Sequence, residues 1–112
     1  MSDCIFCKIV EGTIPSKKVY ENERVYAFHD IAPSAPVHVL IIPKAHYASM
    51  NEVTNFDDIA GVHKAAVQIA KDLGVAESGY RLINNCGSDG GQVVYHVHYH
   101  LLAGEKLGGL NG

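Results

Sequence analysis

The sequence predicts an α+β domain, an antiparallel sheet with one long and one short helix packed on it. Three observations carry that expectation. Strand-like runs lie towards both ends of the chain, one convincing helical pattern lies between them, and the strand–helix alternation of a doubly wound parallel sheet does not occur.

Taken in order, residues 5–10 read as a short helical turn that ends near Gly12 and Pro15. Residues 18–21 and 24–29 are β-rich runs around Glu21-Asn22-Glu23, the pattern of a hairpin. Residues 30–36 hold two prolines, Pro33 and Pro36, and form a loop. Residues 38–42 are a β-rich run stopped by Pro43. Thr54 and Asp57 then fit a capping box, after which Ile59, Val62, Ala66, Ile69, Ala70 and Leu73 recur at helical spacing and Gly74 ends the helix. Residues 79–86 form a strand, residues 87–91 a glycine-rich turn, and residues 93–102 a final strand. The helices are expected on one face of the sheet.

A chain of 112 residues with 47% hydrophobic content supports one domain, taken as residues 1–112, and argues against disorder. So small a domain buries a modest share of its surface, and a homodimer would bury more. The net charge is −3 and Lys17-Lys18 is only a pair, so nucleic acid held through its phosphates is excluded as a partner. A small anionic ligand is not. The N-terminal residues lack the basic and apolar regions of a signal peptide, and the apolar run 39–43 is far too short to span a membrane. The chain therefore reads as cytoplasmic. Its three cysteines are an odd number and suit a reducing compartment without a disulfide framework. Cys86 reads as a small buried hydrophobe. Tyr95 and Tyr99 read as packing or dimer contacts and His63 as a surface or boundary residue.

Chemistry concentrates near the C-terminus. In a strand, His96, His98 and His100 fall on one face, with roughly 6.5–7 Å of rise between successive rings. Three of seven histidines on one stripe are more than a polar strand face needs. Imidazoles so placed suit either a metal site or catalysis, since neutral imidazole attacks phosphorus and neighbouring histidines can donate protons. Spacing alone does not separate the two. The turn at residues 87–91 could offer backbone N–H groups to a phosphate, with the amides of Asn85 and Gln92 beside it.

Phe6-Cys7-Lys8-Ile9, Phe28-His29-Asp30-Ile31, His38 with Ile41-Ile42-Pro43-Lys44, Asn85, Gly90-Gly91-Gln92 and His96-x-His98-x-His100 together resemble the histidine-triad superfamily, most closely its nucleotide-binding phosphoramidase branch. The resemblance runs from about Cys4 to Gly104 in the right order. It implies a five-stranded antiparallel sheet that dimerises into a continuous ten-stranded one. It implies hydrolysis of purine nucleoside phosphoramidates of the adenosine 5′-phosphoramidate type at the α-phosphate, with AMP or GMP as a bound nucleotide. His98 matches the nucleophile that forms a nucleotidyl-histidine intermediate, His100 the histidine on the phosphate and leaving group, and His38 a supporting fourth histidine; His96 completes the catalytic set. Asp30 would take the ribose hydroxyls, Phe6, Phe28, His29 and Ile31 would wall the base, and Asn85, Gly91 and Gln92 would contact ribose and phosphate. No cofactor is needed for this chemistry.

Val93 stands where that branch often has Ser, so a hydroxyl donor near the phosphate is absent and substrate preference is open. The glycine-rich tail, with Gly104, Gly108 and Gly109, leaves leaving-group selectivity open as well. Cys4-x-x-Cys7 is half of a tetrahedral zinc site, and superfamily members with this pair often complete it at the positions of His46 and His96. A structural zinc there would hold His96 out of catalysis. Two other functions fit the same residues: a dinucleoside polyphosphate hydrolase of the superfamily, and a zinc-stabilised nucleotide-binding scaffold with little turnover.

Overall fold

Alternation along one central strand organises the molecule. The computed structural model describes residues 3–110, so residues 1–2 and 111–112 of the expected domain lie outside it. Strands β1 (Lys18–Glu21), β2 (Val25–His29), β3 (Val37–Pro43), β4 (Tyr80–Asn84) and β5 (Tyr99–Ala103) form one antiparallel sheet in the order β1-β2-β3-β5-β4. Val39 and Ile41 of β3 lie opposite Leu101 and Tyr99 of β5 and pack against helix α2 (Asp57–Asp72). The alternate residues Leu40 and Ile42 lie opposite Phe28 and Tyr26 and pack against helix α1 (Ile5–Glu11).

The two helices thus cover opposite faces, where the sequence was expected to place them on one. Phe6 and Ile9 give α1 its own apolar stripe, and the even residues of β3 give the sheet a second apolar face to receive it. Val39, Ile41 and Ile42 are fully buried, each contributing roughly 1.5–3 kcal/mol of apolar burial.

Helix α2 starts one step away from the predicted device. Thr54 and Asp57 form no capping box; the N-cap is Phe56, without a side-chain bond, and Asn55 Oδ1 instead accepts the Asp57 N–H at 3.0 Å. Asp57 is one methylene too short to reach back as Glu does. Its end is as expected: Gly74 takes φ +75°, its N–H reaches the Lys71 carbonyl and the Val75 N–H that of Ala70, a Schellman closure that buries Val75. The β1–β2 turn is held by Asn22 Oδ1, which accepts the N–H groups of Arg24 and Val25 at 2.8 Å each.

The main departure is the last strand. It begins at Tyr99 rather than residue 93, because its partner β4 ends at Asn84, opposite Tyr99. Before that point the backbone bonds elsewhere: the Val97 N–H donates to the Tyr47 carbonyl and Asn84 Nδ2 donates to the His98 carbonyl. Of the three histidines only His100 lies within β5, yet the alternation persists: Phe6 of α1 meets His96 and His98, and His98 stands beside His100, while Val97, Tyr99 and Leu101 pack on the α2 side. Tyr95 is exposed in the single chain and not packed in its core, and Tyr99 lies under α2 with its ring 5.1 Å from that of His63. Cys86 is half-buried, not a core residue. Among the described residues no helix is long and apolar enough to cross a membrane.

Candidate active site

Between α1 and the even face of β3 lies a cavity of about 290 Å³. It is lined by Phe6 and Ile9 of α1, Phe28 and His29 at the end of β2, Asp30 and Ile31 just beyond, and Leu40, His98 and His100. That volume is at the small end for a ligand pocket. Its walls are mainly apolar and its polar groups gather where His98, His100 and Asp30 meet, with the His98 and His100 rings 5.1 Å apart.

Hydrogen bonds fix which nitrogen of each histidine is available. His98 Nδ1 lies 2.8 Å from the His96 carbonyl oxygen, which can only accept, so His98 carries its proton on Nδ1 and keeps the Nε2 lone pair free. The Phe6 ring stands against His98 at 5.1 Å and 89°. The Ser34 N–H donates to His38 Nδ1 at 2.9 Å, so neutral His38 carries its proton on Nε2. That nitrogen is 2.9 Å from His100 Nδ1 and 3.4 Å from Asp30 Oδ2. His100 Nδ1 therefore accepts, and the His100 proton lies on Nε2. Asp30 Oδ1 is itself held by the Ala32 N–H at 2.8 Å. Burial lowers the pKa of His38 against the pull of Asp30. Burial, assisted by the charges of His98 and His38, lowers that of His100 to about 4. Both rings are thus neutral near pH 7, as this chain of donors requires. Asp30, His38 and His100 are close enough to suggest a cation site, but His38 holds a proton at the nitrogen where a cation needs a lone pair.

A second cluster does fit a metal. One donor atom each from Cys4, Cys7, His46 and His96 lies within 4.8 Å of the others. The Sγ–Nδ1 distances are 3.3 Å for Cys4–His96, 3.4 Å for Cys7–His46 and 3.6 Å for Cys7–His96, and the two Nδ1 atoms are 3.2 Å apart. Tetrahedral zinc with usual bond lengths spaces its ligands about 3.3–3.8 Å apart. His96 Nε2 donates to the Pro43 carbonyl at 2.8 Å, leaving Nδ1 as a lone pair aimed into the cluster. Burial lowers the His96 pKa to about 4, and burial together with Cys4 pushes the Cys7 thiol up to about 11 in the metal-free cluster, so cation binding displaces a proton. His96 was expected among the catalytic histidines. Both its ring nitrogens are engaged and it does not line the cavity.

The same fold occurs in known proteins. The HIT domain profile matches residues 11–107. The chain belongs to the HIT domain family. It is 45% identical to the purine nucleoside phosphoramidase of Escherichia coli K12 over 95% of this chain and 91% of that one. A histidine triad protein from Clostridium difficile superposes with a TM-score of 0.95 at 52% identity, covering 97% and 96% of the two chains. A HIT family hydrolase from Clostridium thermocellum gives 0.94 at 53% identity, with the same coverage. The HIT chain described here stands among the hydrolases of that family.

Three residues expected on ribose or phosphate do not line the cavity of this HIT domain. Both Gln92 N–H groups are taken, by the Ala48 and Val94 carbonyls, and its oxygen accepts the Gly87 N–H. Asn85 Nδ2 donates to the Gly90 carbonyl. The N–H groups of Gly90, Gly91 and Gln92 close bonds within the turn itself. Gly90 has no room for a side chain, because a Cβ there would overlap the Cys86 carbonyl. Val93 is 85% exposed at the cavity rim.

Sequence reasoning missed Ile9, Leu40 and Ser34. Ile9 follows Phe6 by three residues on α1 and Leu40 follows His38 by two on β3, so periodicity would have found both. Ser34 acts through its backbone N–H, which no residue type announces.

Proposed function

We propose that this HIT domain hydrolyses purine nucleoside 5′-phosphoramidates of the adenosine 5′-phosphoramidate type at the α-phosphate, with His98 as nucleophile. One observation carries the reading: His98 has its Nδ1 proton committed to the His96 carbonyl and its free Nε2 beside an apolar cavity, next to His100 with a proton on Nε2. That is the protonation pattern an attacking imidazole and an anion-binding neighbour require. The activity named for the Escherichia coli relative supports the substrate class.

The base lies between Phe6, Phe28 and Ile31, with His29 at the edge, and the Asp30 carboxylate receives ribose hydroxyls. Asn85, Gly91 and Gln92, expected on ribose and phosphate, serve in this reading to hold the 87–91 turn closed. The His98 Nε2 lone pair forms a bond to phosphorus as the phosphorus–nitrogen bond breaks, and the amine departs with a proton from solvent at the cavity mouth. The charge gained by His98 is held by the Nδ1–H bond to the His96 carbonyl. His100 Nε2–H donates to a phosphoryl oxygen, and His38 fixes that proton in place. Water then attacks the same phosphorus and gives up a proton to solvent, the His98–phosphorus bond breaks with its electron pair returning to Nε2, and the nucleoside monophosphate leaves.

Zinc is the metal we assign to Cys4, Cys7, His46 and His96, where it would tie α1 to the segment before β5. The proposal includes a cytoplasmic homodimer with a continuous ten-stranded sheet. It is supported by β4, an edge strand with half-buried side chains, and light scattering tests it.

Hydrolysis of adenosine 5′-phosphoramidate, with His98→Ala run beside wild type, tests the function. AMP release by wild type alone supports it. AMP binding without release by wild type defeats it, and cleavage only of dinucleoside polyphosphates moves the chain to that substrate.

A further inference from the structure

We propose that Phe6 is a positioning residue through which occupancy of the Cys4, Cys7, His46 and His96 site sets the orientation of the His98 ring and the shape of the nucleotide cavity. The inference rests on the function proposed above and adds a control to it.

Phe6 lies between two donors in sequence and between two sites in space. Cys4 caps α1, its Sγ accepting the Cys7 N–H at 3.3 Å, so the sulfur pair and the first turn of the helix are one unit. Among the described residues, the side-chain polar contacts that α1 and its cap make with the rest of the fold are those of Cys4 and Cys7 with His46 and His96. Apolar packing of Phe6 and Ile9 supplies the remainder. What fixes the two sulfurs therefore fixes the height and rotation of α1 on the sheet.

That position is read by the active site twice. The Phe6 ring meets His98 at 5.1 Å and 89°, His96 at 6.0 Å and 67°, and Phe28 on the far wall at 5.6 Å and 75°. His96, in turn, gives the cluster its Nδ1, is held at Nε2 by Pro43, and offers its own carbonyl to His98 Nδ1. Without a cation, Cys4 and Cys7 keep weak thiol hydrogen bonds to His96 and His46, at 3.3–3.6 Å. Displacement of α1 then withdraws one support of the His98 ring and opens the wall between Phe6 and Phe28.

The test compares protein loaded with Zn²⁺ and protein stripped by a chelator, reading His98 ring signals by NMR and AMP affinity by calorimetry. An aromatic contact of this kind corresponds to roughly a twofold to tenfold change in affinity. Stripping is expected to move the His98 ring signals and weaken AMP binding within that range, with the amide signals of Val39 and Ile41 in β3 unchanged. Loaded Phe6→Leu protein is expected to show the same loss of affinity, and stripping it to add less than twofold. Unmoved His98 signals on stripping overturn the proposal, as does a Phe6→Leu protein that loses as much on stripping as wild type. Where stripping unfolds the chain, wild-type AMP affinity in loaded Phe6→Leu protein overturns it. Moved His98 signals in a protein that binds no AMP at either loading uphold the coupling and refute the nucleotide reading instead.

Discussion

Replacing His38 by Phe isolates the donor that sets the protonation of His100. His38 is buried, so an aromatic ring preserves most of its packing while removing both nitrogens. Two bonds are lost: the Ser34 N–H loses its acceptor, and His100 Nδ1 loses the Nε2–H of His38 at 2.9 Å. The first loss lowers stability by about 0.5–1.5 kcal/mol, the net worth of one hydrogen bond at an exposed residue. The second acts on catalysis. His100 Nδ1 either stays without a donor or takes the proton itself, and then a lone pair at Nε2 faces the phosphoryl oxygens. The transition state loses a hydrogen bond to a charged group, about 1.5–3 kcal/mol, or roughly 10–150-fold in kcat/KM. The assay is phosphoramidate hydrolysis together with ¹⁵N NMR of the His100 ring, at a temperature well below the melting point of the variant. His38→Gln, which can still donate from its amide, recovers part of the loss. A His38→Phe enzyme within twofold of wild type would refute the relay, and so would equal losses in the Phe and Gln variants.

Two further outcomes follow from the same geometry. Burial lowers the His100 pKa from 6.5 to about 4, so between those values the unfolded chain holds a proton that the folded chain does not. Stability therefore falls as pH drops through this window, by up to roughly 3 kcal/mol from this group, and the fall levels off below about pH 4. His38 adds in the same direction. Urea midpoints from pH 7 to 4 measure it, and a His100→Asn variant with an undiminished slope would contradict the assignment. Val93→Ser places a hydroxyl at the exposed cavity rim. It is expected to raise kcat/KM for the phosphoramidate about tenfold with no change in melting temperature, one added charge-assisted hydrogen bond; steady-state kinetics decide it, and an unchanged value means the rim does not reach the phosphate.

Residue type and periodicity carried the reading of the sequence as far as they could. His98 and His100 were legible because an uncommon residue recurs in an ordered run, Phe6, Phe28 and Asp30 through the resemblance to the histidine-triad superfamily, and the strands β1 to β3 because β-branched and aromatic residues gather in short runs. The extent of the last strand was not. Alternation placed the three histidines on one side, where they lie, but a strand needs a partner, and the position where β4 stops is a tertiary fact. Gln92 has the side chain of a ligand contact, yet its three bonds go to backbone atoms of residues 48, 87 and 94, and a sequence does not display where carbonyls lie. His96 and Ser34 act on the site through backbone atoms, His96 by the carbonyl that orients His98 and Ser34 by the amide that orients His38. Such roles leave no compositional trace.

The two-sided packing of β3 also limits how the chain can change length. His38, Leu40 and Ile42 face the cavity side, while Val39 and Ile41 face α2. Adding or deleting one residue inside this strand would exchange the two sets beyond that point, pressing an imidazole into an aliphatic core and a valine towards Asp30. Changes of two residues would preserve the sides but shift the Pro43 carbonyl away from His96. Substitution is open to this strand; insertion and deletion are closed to it, and length variation among working variants should fall in the turns on either side.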